Sequence, residues 1–261
     1  MTVHSQSAQS SSPGASPRTE GWWKFGDDLA AGVEDLSGNG HTLTATGGPT
    51  AVEAPFGGGV ALDGATQWLS TAKPVLRTDA SFSVAAWVRL DGDAVQPPPG
   101  EFAWTVLSQS GASHTPFYLG LRLIQQPQPD GTTVGVPSWC FTAAPVDGST
   151  TGAVEWQHAH STQPVDESQL GRWVLLVGVL DAARHTATLY VPSTGDRNTV
   201  DLTEKWPYWN ADGGLQVGFG RYLADVSDQW PGSVGSVRVF SGVLTEDDAA
   251  ALLTGDDPAG A

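Results

Sequence analysis

The stretch Ser81-Phe82-Ser83-Val84-Ala85-Ala86-Trp87-Val88-Arg89-Leu90 alternates. Successive side chains of an extended chain point to opposite sides. Phe82, Val84, Ala86, Val88 and Leu90 therefore share one face, with Ser81, Ser83, Ala85, Trp87 and Arg89 on the other. The first face is one wall of a core. The run Trp-Val-Leu-Leu-Val-Gly-Val-Leu at 173–180 is apolar on both faces, which predicts a central strand covered on both sides. Outward from these two, short runs of β-formers recur between Gly, Asp, Pro and Ser clusters. That spacing is the one of a sandwich or barrel rather than of βαβ units. The candidates are 22–25, 41–45, 59–62, 68–70, 103–109, 117–124, 138–143, 154–158, 186–191, 199–202, 215–220 and 232–240.

The segments 91–100 and 125–136, rich in Pro and Gly, read as loops, because Pro lacks the donor that a strand ladder needs. One helix is expected, over 245–253. Thr245 is a good N-cap, Glu246, Asp247 and Asp248 stand where the helix dipole favours anions, and Gly255 ends it. Residues 1–19 are mostly Ser, Gln, Pro, Ala and Gly, too poor in apolar surface to offset the entropy of ordering, and are expected to form a disordered linker. The expected organisation is this linker, one domain over 20–255 and a tail over 256–261, forming part of a longer polypeptide.

The 261 residues carry 12 basic and 28 acidic side chains, a net charge of 12 − 28 = −16. Such a surface repels phosphate backbones and anionic lipid, which argues against nucleic acid as a partner. No apolar run reaches the roughly 20 residues that cross hydrocarbon, which argues against membrane insertion. Cys140 is the single cysteine, so no intrachain disulfide can form; in Trp139-Cys140-Phe141 it reads as a buried thiol. The 11 Trp and 32 Gly suit pleated surfaces and tight turns.

Several stretches, in order, resemble the LamG-like (laminin-G-like) jellyroll domain of the concanavalin A-like lectin/glucanase superfamily. They are Trp23-Lys24-Phe25 with Asp35-Leu36-Ser37-Gly38-Asn39-Gly40-His41, then Phe56-Gly57-Gly58-Gly59-Val60-Ala61-Leu62-Asp63-Gly64 and the 81–88 strand. The closing Trp230-Pro231-Gly232-Ser233-Val234-Gly235-Ser236-Val237-Arg238-Val239-Phe240 with Leu244-Thr245-Glu246 completes the match. The resemblance implies an all-β fold: a two-sheet antiparallel jellyroll β-sandwich with a short C-terminal helix. It also implies an extracellular module, secreted or at a cell surface, that binds a carbohydrate as lectins do and serves adhesion or targeting. The alternative is a structural or protein-binding module whose partner is another extracellular protein.

Asp35, Ser37 and Asn39 can present hard oxygens from one short loop, as Ca²⁺ requires, or can form an Asx-type turn on nearby N–H groups. In similar domains an acid on the closing strand completes a calcium site. Here that position is Gly235, which leaves Asp228 or Asp225 as the substitute if the loop folds back. His158-Ala159-His160 puts two imidazoles on one strand face, a spacing zinc can use with His114 or Glu155; solvated surface histidines are the plainer alternative.

Exposed aromatics can stack on sugar rings. Trp206, Tyr208 and Trp156 are the candidates; Trp104, Trp139 and Trp209 are weighed beside them, and Trp23, Trp87 and Trp173 are assigned to the core. No paired-carboxylate run of a glycosidase occurs; Glu155 and the pair Asp201 and Glu204 are the nearest approaches, so no enzyme is expected.

Overall fold

The computed structural model describes residues 16–92, 95–100, 102–148 and 155–258. Its strands are β1 (Arg18–Trp23), β2 (Leu43–Thr46), β3 (Thr50–Ala54), β4 (Gly57–Ala61), β5 (Trp68–Thr71), β6 (Phe82–Leu90), β7 (Ala103–Gln109), β8 (Phe117–Pro127) and β9 (Thr133–Ala143). They continue as β10 (Gln157–His160), β11 (Val174–Asp181), β12 (Thr186–Val191), β13 (Asp196–Asp201), β14 (Leu215–Val217), β15 (Gly220–Tyr222), β16 (Asp225–Ser227) and β17 (Gly232–Ser241), followed by the helix α1 (Glu246–Thr254). One sheet runs β13-β12-β11-β6-β17-β4-β3, with β1 also on β17, and the other β10-β9-β8-β7-β14-β5-β2. β15 and β16 form a separate hairpin, and the strand ladders are all antiparallel. This is the two-sheet jellyroll sandwich expected.

The core lies between the sheets. Phe82, Val84, Ala86, Val88 and Leu90 of β6 meet Phe117, Leu119, Leu121, Trp139 and Phe141 of β8 and β9. The opposite face of β6 is buried as well. Ala85 and Trp87 join Leu175, Val177, Val179 and Phe240 in a second apolar cluster, capped by Ala249 and Leu252 of α1. That cap explains why 173–180 is apolar on both sides. Within that run Gly178 faces the core, where a Cβ would stand 2.3 Å from the Phe141 ring. The helix itself is held by a capping box in which Thr245 Oγ1 accepts from the Asp248 N–H and the Asp248 carboxylate accepts from the Thr245 N–H.

Three differences from the sequence reading have physical causes. β1 begins at Arg18, two residues inside the expected linker, because Arg18 and Thr19 pair with Ser241 and Phe240 on the edge of β17; residues 1–15 of that linker lie outside the described residues. The segment 125–136 is largely ladder rather than loop. β8 and β9 pair as far as Pro127 opposite Thr133, leaving only 128–132 as the turn. Its prolines are tolerated because these ends of the hairpin are exposed, away from the core. Thirdly, the tail is anchored at its start: Arg238 donates from Nη1 to the Asp256 carbonyl and from Nη2 to the Gly255 carbonyl.

Candidate glycan-binding site on the outer face of the seven-stranded sheet

Alternation along β8 sends Phe117, Leu119 and Leu121 into the core and Tyr118 and Arg122 to the outer face of the seven-stranded sheet. There Trp156, just before β10, stacks on Tyr118 with ring centroids 5.3 Å apart at 24°. Tyr222, at the end of β15, meets Trp156 edge-on at 6.1 Å, and His114 stands edge-on to both, at 5.8 and 5.1 Å. The Tyr118 hydroxyl donates to the Arg221 carbonyl at 2.7 Å, and burial pushes its pKa up to about 12, so it stays protonated. Burial likewise pushes the His114 imidazole down, against the pull of Asp147, whose carboxylate accepts three backbone N–H groups from 112–114.

The hairpin that carries Tyr222 turns through Leu223 and Ala224, both at positive φ (51° and 71°) and neither a glycine. A two-residue turn of this kind ordinarily takes Asn-Gly, so the backbone is strained. The Ala224 N–H donating to Ser113 and Arg221 Nη1 donating to the Ala224 carbonyl hold it over the sheet.

Two cavities open beside this aromatic stack. One, of about 400 Å³, is lined by Phe102, Arg122, Trp156, Tyr222, Ser227 and Asp228 among others. The other, of about 430 Å³, is lined by Phe102, Arg122, Trp156, Gln125, Gln157, His158 and His160 with neighbouring β8 residues. Both fall in the size range of small-ligand sites, about 300–1,000 Å³. Phe102, Arg122 and Trp156 are common to both. The Arg122 guanidinium lies over the Trp156 ring at 6.0 Å. Apolar side chains at the rim are exposed, Phe102 by 57% and Tyr222 by 47%.

Of the three aromatic candidates from sequence, only Trp156 is at this site. Trp206 is buried in the core, 6% exposed, and offers no face to a sugar. Tyr208 packs half-buried against the same core, and its hydroxyl bonds His185 Nδ1 at 3.1 Å. Both expectations of an exposed aromatic loop are corrected: residues 206–209 close the end of the sandwich, with Trp209 Nε1 donating to the Ala144 carbonyl. Trp104 and Trp139 are buried, as are Trp23 and Trp87; Trp173 is only half-buried, under the Arg89 guanidinium at 4.9 Å. Phe102, Arg122 and Tyr222 were missed. The alternation of 117–122 placed Arg122 opposite the core residues and was the signal available; nothing local marks Phe102 or Tyr222.

Of the proposed ion ligands, Asp35, Ser37 and Asn39 share one turn. Asp35 accepts N–H bonds from Trp22, Ser37 and His41, Ser37 Oγ donates to the Glu20 carbonyl, and the Asn39 amide donates to the Thr19 and Glu20 carbonyls. Burial pushes the Asp35 carboxyl up, but these hydrogen bonds outweigh it and hold it below its ordinary value. Asp228 stands on the other sheet, where its carbonyl accepts from Thr105 N–H. At Gly235 a Cβ would lie 2.7 Å from that of Ala54, so no acid fits there. The hydrogen bonds around Asp35 are those of an Asx-type turn.

His158 is also not a solvated surface residue. Its Nδ1 bonds Thr142 Oγ1 at 3.0 Å, and burial, with Arg122 and His160 adding to it, pushes the imidazole down to about 3. His114 lies across the aromatic stack, and the described residues contain no cluster of three His, Cys, Asp or Glu side chains that could hold a metal. Cys140 is buried, and burial pushes its thiol up to about 11, as expected of a core thiol.

The laminin-G family model described as the Concanavalin A-like lectin/glucanases superfamily matches residues 63–250, well over half the chain. The chain belongs to this superfamily. Domain 4 of AbnA, a GH43 extracellular arabinanase from Geobacillus stearothermophilus solved with arabinotriose, is similar to this laminin-G-like domain at TM-score 0.60 and 15% identity. The match covers 91% of this chain and 98% of that one. The binding domain of botulinum neurotoxin DC, in complex with rat synaptotagmin II, is similar at TM-score 0.61 and 12% identity over 91% of this chain and 51% of that one. Botulinum neurotoxin type C, whose cell entry depends on interaction with two ganglioside molecules, gives 0.62 and 13% over the same shares. The laminin-G-like domain thus spans about half of each neurotoxin chain. At these identities the likeness establishes the fold. No curated protein matches the sequence. Among the described residues no helix is long and apolar enough to cross a membrane.

Proposed function

We propose that this laminin-G-like domain is a non-catalytic carbohydrate-binding module of a secreted or cell-surface protein, serving adhesion or targeting, with the sugar held against Trp156. The observation that carries this reading is the placement of Trp156: half-buried, backed by Tyr118, and forming the wall shared by two cavities with Arg122 at its face. A planar apolar wall with polar groups at its edge suits a pyranose ring, whose faces are apolar and whose rim is hydroxylated. The arabinotriose complex of AbnA domain 4 and the gangliosides of botulinum neurotoxin type C lend support by likeness of fold, and the arabinanase is itself extracellular.

The carboxylates favour binding over hydrolysis. Among the described residues Asp228 is the one acid lining the first cavity and none lines the second, whereas a retaining glycosidase sets two carboxyl groups about 5–5.5 Å apart. Glu155, Asp201 and Glu204 are exposed and line neither. The exposed apolar rim of Phe102, Tyr222 and Leu223 favours, as second reading, a protein partner.

A glycan array probed with the full chain and with Trp156→Ala tests the proposal. The unaltered chain is expected to bind a defined set of glycans and the variant to lose affinity by more than about tenfold. No binding across the array would transfer the site to the protein-partner reading.

A further inference from the structure

We propose that the glycan carries a carboxylate, bound by the Arg122 guanidinium on the side of the cavity formed with Gln125, Gln157 and His160; this rests on the glycan reading above. The argument begins with how arginines are used in an acid-rich chain. Arg18, Arg77, Arg89, Arg184, Arg197 and Arg238 each have a carboxylate within 4.0 Å, and Arg221 donates to a backbone carbonyl. Arg172 is on open surface. Arg122 is half-buried, lines both cavities, and donates to no acceptor among the described residues; its contact is with the Trp156 ring. With 28 acids available in the sequence, a partly desolvated guanidinium facing a cavity rather than an acid is set up for an acceptor from outside.

The two cavities differ in charge. Asp228 lines the first and would repel an anion, whereas the second is lined by amides, imidazoles and apolar groups with no acid among the described residues. The Gln125 and Gln157 amides can give N–H bonds beside the guanidinium. The planar fork of one arginine matches a carboxylate through two parallel N–H···O bonds. A densely sulfated chain needs many cations and would meet the field of a protein carrying −16, so a uronate or sialate fits the site and a sulfated polyanion does not.

Calorimetric titration of the full chain decides the matter. The probes are 3′-sialyllactose beside lactose, oligogalacturonate beside its carboxyl-reduced form, and a heparin oligosaccharide. An acidic probe is expected to bind about 10- to 100-fold tighter than its neutral counterpart, the gain expected of charge-assisted hydrogen bonds. In Arg122→Gln the ratio of acidic to neutral affinity should fall to about one, and Arg122→Lys should restore only part of it. Equal affinity for acidic and neutral members of each pair overturns the acidic-sugar inference and leaves the glycan reading standing. Preference for heparin overturns it in favour of sulfate. Failure of every probe together with a blank glycan array removes both. If Arg122→Gln unfolds, the comparison within each pair on the unaltered chain remains decisive.

Discussion

Arg238 and Arg122 both lie over tryptophan rings, at 4.2 Å from Trp22 and 6.0 Å from Trp156, on the outer faces of opposite sheets. Arg238 is 4% exposed and donates to the Gly255 and Asp256 carbonyls just past α1, where a cation also complements the end of the helix dipole. Arg122 has the same chemistry with the hydrogen bonds left open. The difference is the helix. α1 seals one outer face with Ala249 and Leu252, while the other carries, among the described residues, the β15–β16 hairpin and Trp156, which cover part of the sheet and leave two cavities. One outer face is packed shut and the other stays open to solvent.

The contrast can be broken at the aromatic residues first. Phe240→Ala, on the sealed face and fully buried, is expected to cost about 3–5 kcal/mol in urea unfolding. Phe102→Ala, 57% exposed at the cavity rim, should stay within about 0.5 kcal/mol. A comparable loss for both would mean that the open face is part of the stable core.

Next come the arginines. Arg238→Gln is expected to cost about 2–3 kcal/mol, since it removes the charged hydrogen bonds of a buried guanidinium, whereas Arg122→Gln should fall within about 0.5 kcal/mol. Equal costs would remove the distinction on which the acidic-sugar site rests.

A further test is one of pH. His158 has an ordinary value of 6.5, and burial lowers it to about 3 in the folded protein. The unfolded chain therefore binds a proton that the folded one refuses between these values. Stability from this residue is complete above about pH 6.5 and is lost progressively as pH falls toward 3. Denaturant midpoints of the unaltered chain and of His158→Gln should converge as pH drops from 6.5 to 4.5. Parallel curves would show that the imidazole is solvated after all.

The fold was legible because alternation is a local property. Phe82 to Leu90 names its own inner face, and Thr245 with its following acids announces a helix start. The site was legible only in part. Trp156 was among the candidates, but Trp206 and Tyr208 looked equally available, since a tryptophan between turn residues reads the same whether the loop stands free or folds back as a plug. Pro127 and Pro129 made 125–136 look like loop, and only the pairing across it shows otherwise.

What the sequence determined by itself is the sandwich: periodicity two in its strands, turn residues between them, and motif order that resembles the family to which the chain belongs. The tertiary structure decided which aromatics are exposed and which half-buried arginine donates to no acceptor among the described residues. Exposure and pairing depend on residues distant in the chain, as when Phe102, Arg122 and Trp156 meet at one wall, and no window of local sequence contains that information.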